Sequence, residues 1–183
     1  MKLSIVATLY QSAPYVSEFY QRASAAAKQL LGEDYEIVLV NDGSPDNSLD
    51  LAVQITESDS HVVVVDLSRN FGHHKAMMTG LAHTKGDQVL LIDSDLEEEP
   101  ECLIAFAEQM QSQRCDVVYG IQEQRKGGWF ERWSGQWFYR FFKALAFRIE
   151  TKPSFTFSCL VIQHFYSFAP TFWAVLQFKI FHF

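Results

Sequence analysis

Cysteine is scarce in this chain. Cys102, Cys115 and Cys159 are the three present, and no two share a spacing suited to a metal or a redox pair. They are expected to stay reduced. Two glycine patterns are missing as well. No Gly-x-Gly-x-x-Gly follows an apolar run, so a dinucleotide fold of the usual kind is not expected, and no phosphate-binding loop ends in Gly-Lys-Ser/Thr. Basic charge is in deficit. The net charge of −7 argues against a general nucleic-acid binder. There is no internal repeat and no low-complexity linker. Met1-Lys-Leu-Ser runs straight into an apolar stretch, so no signal peptide is expected.

What remains is the composition of a globular chain. Of 183 residues, 48% are hydrophobic and 20% charged, enough for one domain with a real core. The charge is uneven. Residues 1–120 carry 7 basic and 19 acidic side chains, and residues 121–183 carry 8 basic and 3 acidic ones. Such asymmetry suggests that the second part faces something anionic, such as a membrane surface.

Short apolar runs alternate with helical patterns. Strands are expected at residues 3–9, 36–40, 61–65, 87–92 and 116–119. Helices are expected from Pro14 to Leu31, closed by Gly32, from Ser48 to Ser58, from His73 to Thr84, and from Pro100 to Gln113. That alternation implies an α/β fold with a mostly parallel sheet flanked by helices. Every strand but the last ends in a polar loop: at Tyr10, at Asp42, before Asn70, and at Asp93 and Asp95. Ligands bind outside the carboxyl ends of such strands.

The acid pair is the sharpest feature. Val89 to Ile92 reads as a buried strand, and it delivers two carboxylates separated by one small residue, Ser94. That rim suits a hard divalent cation, Mg²⁺ or Mn²⁺, which favours carboxylate oxygens and shares its shell with substrate phosphates. A solvated acidic turn, continued by Glu97 to Glu99, is the plainer reading of those two residues alone. His73 and His74 look like a metal pair. However, adjacent residues on a helix point in different directions, so a polar helix start is expected instead.

Five segments in order change the weight of the acid pair: Ser4 to Tyr10, Ile37 to Ser44, Leu67 to Gly72 with Lys75, Ile92 to Glu101, and Val117 to Gly120 with Arg125. Together they resemble glycosyltransferase family 2, most closely its branch that loads sugars onto polyprenyl phosphates, dolichyl or undecaprenyl. The resemblance implies a glycosyltransferase A-type (nucleotide-diphospho-sugar transferase) fold and an inverting, metal-dependent transfer from a UDP-sugar. It implies that Asp95, helped by Asp93, holds Mg²⁺ or Mn²⁺ and serves catalysis. Thr8 and Tyr10 would flank the nucleoside, Asp42 would accept from the base, and Asn70, Gly72 and Lys75 would line the donor site. Lys75 and Arg125 would meet phosphate oxygens. Four positions depart from the family: Thr8 stands where Pro is usual, Gln11-Ser12 where Asn-Glu is, Asn41 for an Asp, and Gln122 for an Arg.

The expected organisation is a nucleotide-sugar-binding catalytic domain at 1–128, an amphipathic helix at 129–146, and an aromatic tail at 147–183. On the helix, Phe130, Trp133, Trp137, Phe141 and Leu145 form one stripe and Arg132, Gln136, Arg140 and Lys143 another, which suits a bilayer interface. The resemblance is expected to end near Ala146. The tail reads as a frameshifted or truncated end, a membrane-associated segment, or a divergent acceptor region. A peripheral or anchored position on the cytoplasmic face of a membrane follows from the resemblance, with a homo-oligomer left open. Two other functions compete: a nucleotide-binding member without turnover, and a family 2 transferase acting on a surface polysaccharide.

Overall fold

The computed structural model describes residues 2–114, 117–121 and 157–163. The chain divides into two compact units, residues 1–119 with 159–183, and residues 120–158. The first carries the fold described below.

Its elements run β1 (Leu3–Leu9), α1 (Val16–Leu31), β2 (Tyr35–Asn41), α2 (Ser48–Ser58), β3 (Val62–Asp66), α3 (His73–His83), β4 (Gln88–Asp93), α4 (Cys102–Gln113), β5 (Val117–Ile121) and β6 (Phe157–Gln163). The strand order is β3-β2-β1-β4-β6-β5. The first four strands are parallel, and β6 joins β4 antiparallel. The four parallel strands and their helices match the expectation. β6 does not: it lies within residues 147–183, read from sequence as a tail, and occupies the place beside β4. An apolar run such as Phe-Ser-Cys-Leu-Val-Ile-Gln names no partner by itself, which is why its pairing was not legible. The amphipathic helix expected at 129–146 lies outside the described residues. Among the described residues, no helix is long and apolar enough to cross a membrane.

The inner parallel strands β1, β2 and β4 are buried on both faces, as continuous apolar runs should be, whereas β3 at the sheet edge is only partly buried. Successive side chains alternate between faces. Ile5, Ala7 and Leu9 of β1, Ile37 and Leu39 of β2, and Leu90 and Ile92 of β4 face one side. There they meet Phe19, Ala23, Ala26 and Ala27 of α1, Ala52 of α2, and Leu103 and Met110 of α4. Val6, Val38, Val40, Val89 and Leu91 face the other side, against Ala76 and Leu81 of α3. Each large side chain so buried contributes about 1.5–3 kcal/mol. The i, i+4, i+7, i+8 spacing of Phe19, Ala23, Ala26 and Ala27 places them on one stripe of α1. Gly80 lets α3 approach closely, because a Cβ there would stand 2.4 Å from Val6 Cγ1 and 2.9 Å from Val40 Cγ2.

Helix starts differ slightly from expectation. Pro14 precedes α1, which begins at Val16. Pro100 precedes α4, and the amides of Cys102, Leu103 and Ile104 each donate three residues back, a tight turn before the helix proper. Arg22 of α1 holds Glu101 bidentately, Nε to Oε1 at 2.9 Å and Nη2 to Oε2 at 2.7 Å, and so anchors the segment just past the acid pair.

Candidate active site

Register decides where the strand ends meet. In the parallel ladders Thr8 pairs with Asp93, Leu9 with Asn41, and Asn41 with Asp66. The carboxyl ends therefore form one rim. The chain winds from β1 outward through β2 to β3, then returns to place β4 on the other side of β1. That reversal opens a crevice between the ends of β1 and β4, and such switch points receive ligands in α/β sheets. Thr8 and Asp93 face each other there.

Asp93 ends β4 with its side chain 38% exposed. The exposure is one-sided: Oδ1 is buried and has no hydrogen-bond partner. Burial pushes the Asp93 carboxyl above its usual range. His73 pulls it back down, Asp95 and Glu97 add to the rise, and His74 opposes it. Nε2 of His73 stands 3.5 Å from Oδ1. The other ring nitrogen, Nδ1, shares a 3.1 Å hydrogen bond with Oγ1 of Thr8. His73 opens α3, so β1, β4 and α3 meet at this ring. Reading His73 only as a polar helix start missed it. The two histidines do not form a pair aimed at one ion: their rings lie edge to face with centroids 5.5 Å apart.

Asp95 is exposed, and its Oδ1 accepts the Glu97 amide at 3.0 Å. Between the acids, Ser94 is buried. Its hydroxyl donates to the Thr8 carbonyl at 2.7 Å and lies 3.0 Å from Ser12 Oγ. The small residue of the motif thus ties the acid-bearing turn to the end of β1. Among the described residues, no group of three or more His, Cys, Asp and Glu is arranged to hold a metal ion. A cation here would have to complete its shell with phosphates and water.

Asp42, expected to accept from the base, has internal partners in the structure. Asp42 is only 2% exposed, and its oxygens accept the amides of Phe71 at 2.7 Å and Gly72 at 3.0 Å. Its carboxylate shapes the loop that leads into α3. Beside it Gly43 has φ +59°, and a Cβ there would stand 2.4 Å from both Arg69 C and Asn70 N. Asn41 completes the joint: its side-chain amide donates to Asp66 at 2.8 Å and its Oδ1 accepts the Ser44 amide at 3.2 Å.

Thr8 is nearly buried, whereas Tyr10 is 48% exposed at the rim. Ser12 Oγ accepts the Tyr10 amide at 3.1 Å, so the ring projects from a fixed backbone. Asn70 and Lys75 are exposed, Gly72 less so, and Arg69 stacks 4.6 Å over Phe71. Arg125 lies outside the described residues.

Asp46 joins two of these loops. It accepts Ala13 N at 3.0 Å, Ser44 Oγ at 2.6 Å, Ser48 N at 3.1 Å and Ser48 Oγ at 2.5 Å. Burial alone would raise its pKa, but these hydrogen bonds outweigh burial and lower it to about 2. A depressed carboxylate contributes stability above its unfolded pKa, near 3.9, and loses it as pH falls through the folded value. Asp46→Asn should therefore melt below the parent at pH 7, by about 1 kcal/mol, less than the full shift implies because solvent screens so open a carboxylate. The gap should shrink as pH falls from about 4 toward 2. Melting curves across that range check it, and a gap independent of pH would overturn it.

Comparison with known proteins agrees with this geometry. The model of Glycosyl transferase family 2 matches residues 4–172, past the point near Ala146 where the sequence resemblance was expected to end. A protein of Mycobacterium tuberculosis (strain CDC 1551 / Oshkosh) named as a glycosyltransferase is 56% identical over 140 residues, 76% of this chain and 41% of that protein. The chain thus spans about two fifths of that relative's length. Among solved structures, S. aureus TarS 1-349 in complex with UDP-GlcNAc is 26% identical at a TM-score of 0.55, over 70% of this chain and 36% of TarS. The mannosyltransferase PcManGT from Pyrobaculum calidifontis, in complex with GDP-Man and Mn²⁺, shares the fold at a TM-score of 0.63 and 17% identity, over 88% of this chain and 44% of its own.

Proposed function

The chain belongs to glycosyltransferase family 2, with its glycosyltransferase A-type fold, and from that premise we propose that it moves a sugar from a UDP-sugar to a polyprenyl phosphate, with inversion. One observation carries the donor half of this reading: register brings Asp93 beside Thr8 at the switch point, with Asp95 one turn beyond. The residues fit a divalent cation, because a buried carboxylate oxygen without a hydrogen-bond partner lies at the rim where the second acid is exposed. Mg²⁺ or Mn²⁺ held by Asp93 and Asp95 supplies neutralisation of the charge on the diphosphate leaving group.

The chain's own groups account for the rest of donor binding. The exposed Tyr10 ring offers a flat apolar face to the nucleoside. Lys75, exposed in the first turn of α3, favours phosphate oxygens, as does the start of that helix. Asp42 contributes by fixing the 70–72 backbone. The TarS complex with UDP-GlcNAc supports uridine as the base. The acceptor rests on the sequence resemblance: a lipid phosphate is already an anion and needs little help from a base. Its membrane source, at the cytoplasmic face, fits the aromatic and basic stripes of residues 129–146.

Calorimetry with UDP, with and without Mn²⁺, on the chain and on Asp95→Asn tests the donor half. We expect Mn²⁺-dependent binding that the substitution weakens at least about tenfold. A folded chain that binds no UDP overturns the reading. UDP binding with no labelled sugar transferred in lipid extract would instead favour a family member that binds nucleotide without turnover.

A further inference from the structure

We propose that His73 is a ligand of the divalent cation, its Nε2 and Asp93 Oδ1 holding the ion together while Thr8 orients the ring. The inference rests on the donor reading above and extends it to a residue outside the acid pair. Three observations meet at this point. Nε2 and Oδ1 stand 3.5 Å apart, beyond the usual length of a hydrogen bond, though within reach of an ion pair when the ring is protonated and no metal is bound. Oδ1 is buried and has no hydrogen-bond partner, so the imidazole does not satisfy it directly. The far side of the ring is already held, through the 3.1 Å contact of Nδ1 with Thr8 Oγ1.

A cation explains all three together. Two ligand atoms each about 2.1 Å from a common ion stand about 3.0–3.5 Å apart across angles of about 90–110°. A metal-bound histidine almost always has its second nitrogen anchored by another group, which fixes the tautomer and the ring plane. With the proton on Nδ1 donating to Thr8 Oγ1, the Nε2 lone pair faces Oδ1. Two electron-rich atoms then face each other across a gap that suits an ion. The donor phosphates and water would supply further oxygens, and Asp95 would join only by a change of side-chain position, because no third such group is in place among the described residues. A nitrogen ligand also carries a preference: imidazole suits transition ions, whereas Mg²⁺ prefers an all-oxygen shell. His73 therefore biases the site toward Mn²⁺.

The test is electron paramagnetic resonance of Mn²⁺ bound to the full chain in the presence of UDP. It uses histidine-selective ¹⁵N labelling and compares the parent with His73→Gln, Thr8→Val and Asp93→Asn. We expect a histidine nitrogen coupling on the bound Mn²⁺ that disappears in His73→Gln. Mn²⁺ affinity should fall at least about tenfold in that variant, with a smaller loss for Mg²⁺. Thr8→Val should retain the coupling and lose affinity to a lesser degree. Bound Mn²⁺ that depends on Asp93 but shows no histidine coupling overturns this inference and leaves the donor reading standing. No Mn²⁺ binding to the parent, or binding indifferent to Asp93→Asn, overturns both.

Discussion

Asp93→Asn should abolish cation-supported sugar transfer while leaving the fold as stable as before, or slightly more so. The two halves of this expectation have the same cause. Asparagine keeps the shape of the side chain and the pairing of residue 93 with Thr8, so the rim stays in place. What it removes is a negative charge with one buried oxygen that no hydrogen bond satisfies. A buried carboxylate of that kind costs stability when ionised, which is why burial raises its pKa. A bound cation would offset that cost, so the same residue can favour activity at the expense of stability. Loss of a group that neutralises leaving-group charge lowers turnover by roughly 10²–10³-fold or more. Labelled-donor turnover in lipid extract, set beside urea unfolding of the two proteins, measures both halves. Full turnover in the variant would refute the role of Asp93, and a large loss of stability would refute the burial argument.

Gly43→Ala should be the most damaging small substitution in the described chain. Two costs combine there. The residue has φ +59°, a left-handed conformation that an alanine enters at about 1–2 kcal/mol. Its Cβ would also lie 2.4 Å from two backbone atoms of the facing loop, Arg69 C and Asn70 N, and 2.8 Å from Arg69 Cα. Backbone cannot swing aside as a side-chain tip can, so the 69–72 loop would have to move, and the Asp42 contacts with it. The combined loss should reach about 3 kcal/mol or more. Gly32→Ala is the control. Its φ of +62° comes with ψ of −119°, a region still less open to alanine than the left-handed one, yet nothing lies within 4 Å of a Cβ there, so only a conformational cost applies. Urea midpoints of the two variants separate the terms. A loss at Gly43 no greater than about 1–2 kcal/mol, the conformational cost alone, would mean that the loop contact contributes nothing.

The sequence exposed some parts of this molecule and hid others for physical reasons. Apolar runs such as Leu3–Leu9 and Val89–Ile92 announce buried parallel strands, and their polar ends announce a rim. The acid pair is visible because two carboxylates at the end of a buried strand stand out from the apolar run before them. Asp42 is different. In one dimension nothing shows that its carboxylate accepts two loop amides, because Phe71 and Gly72 lie 29 and 30 positions away. His73 was set aside because its neighbour His74 invited a test of the wrong pair. Its partners, Thr8 and Asp93, are 65 and 20 positions away, brought together by register. Ser94, Ser12, Ser48 and Asp46 form a joint between loops that no spacing reveals, since each alone is an ordinary turn residue. β6 was hidden by its distance in sequence from β4.

The joint beneath the rim divides the labour between two sets of residues. Backbone positions are set from below by inward-facing polar groups, Asp42, Asp46, Ser12 and Ser94, whose bonds are internal to the protein. The side chains that reach outward from the same loops, Tyr10, Asn70, Phe71 and Lys75, are exposed. Under the proposed donor role, substitution at the outward positions would retune which base or sugar is admitted and leave the melting point in place, whereas substitution at the inward ones would loosen the loops themselves. Selectivity and stability are thus carried by separate side chains of the same few loops.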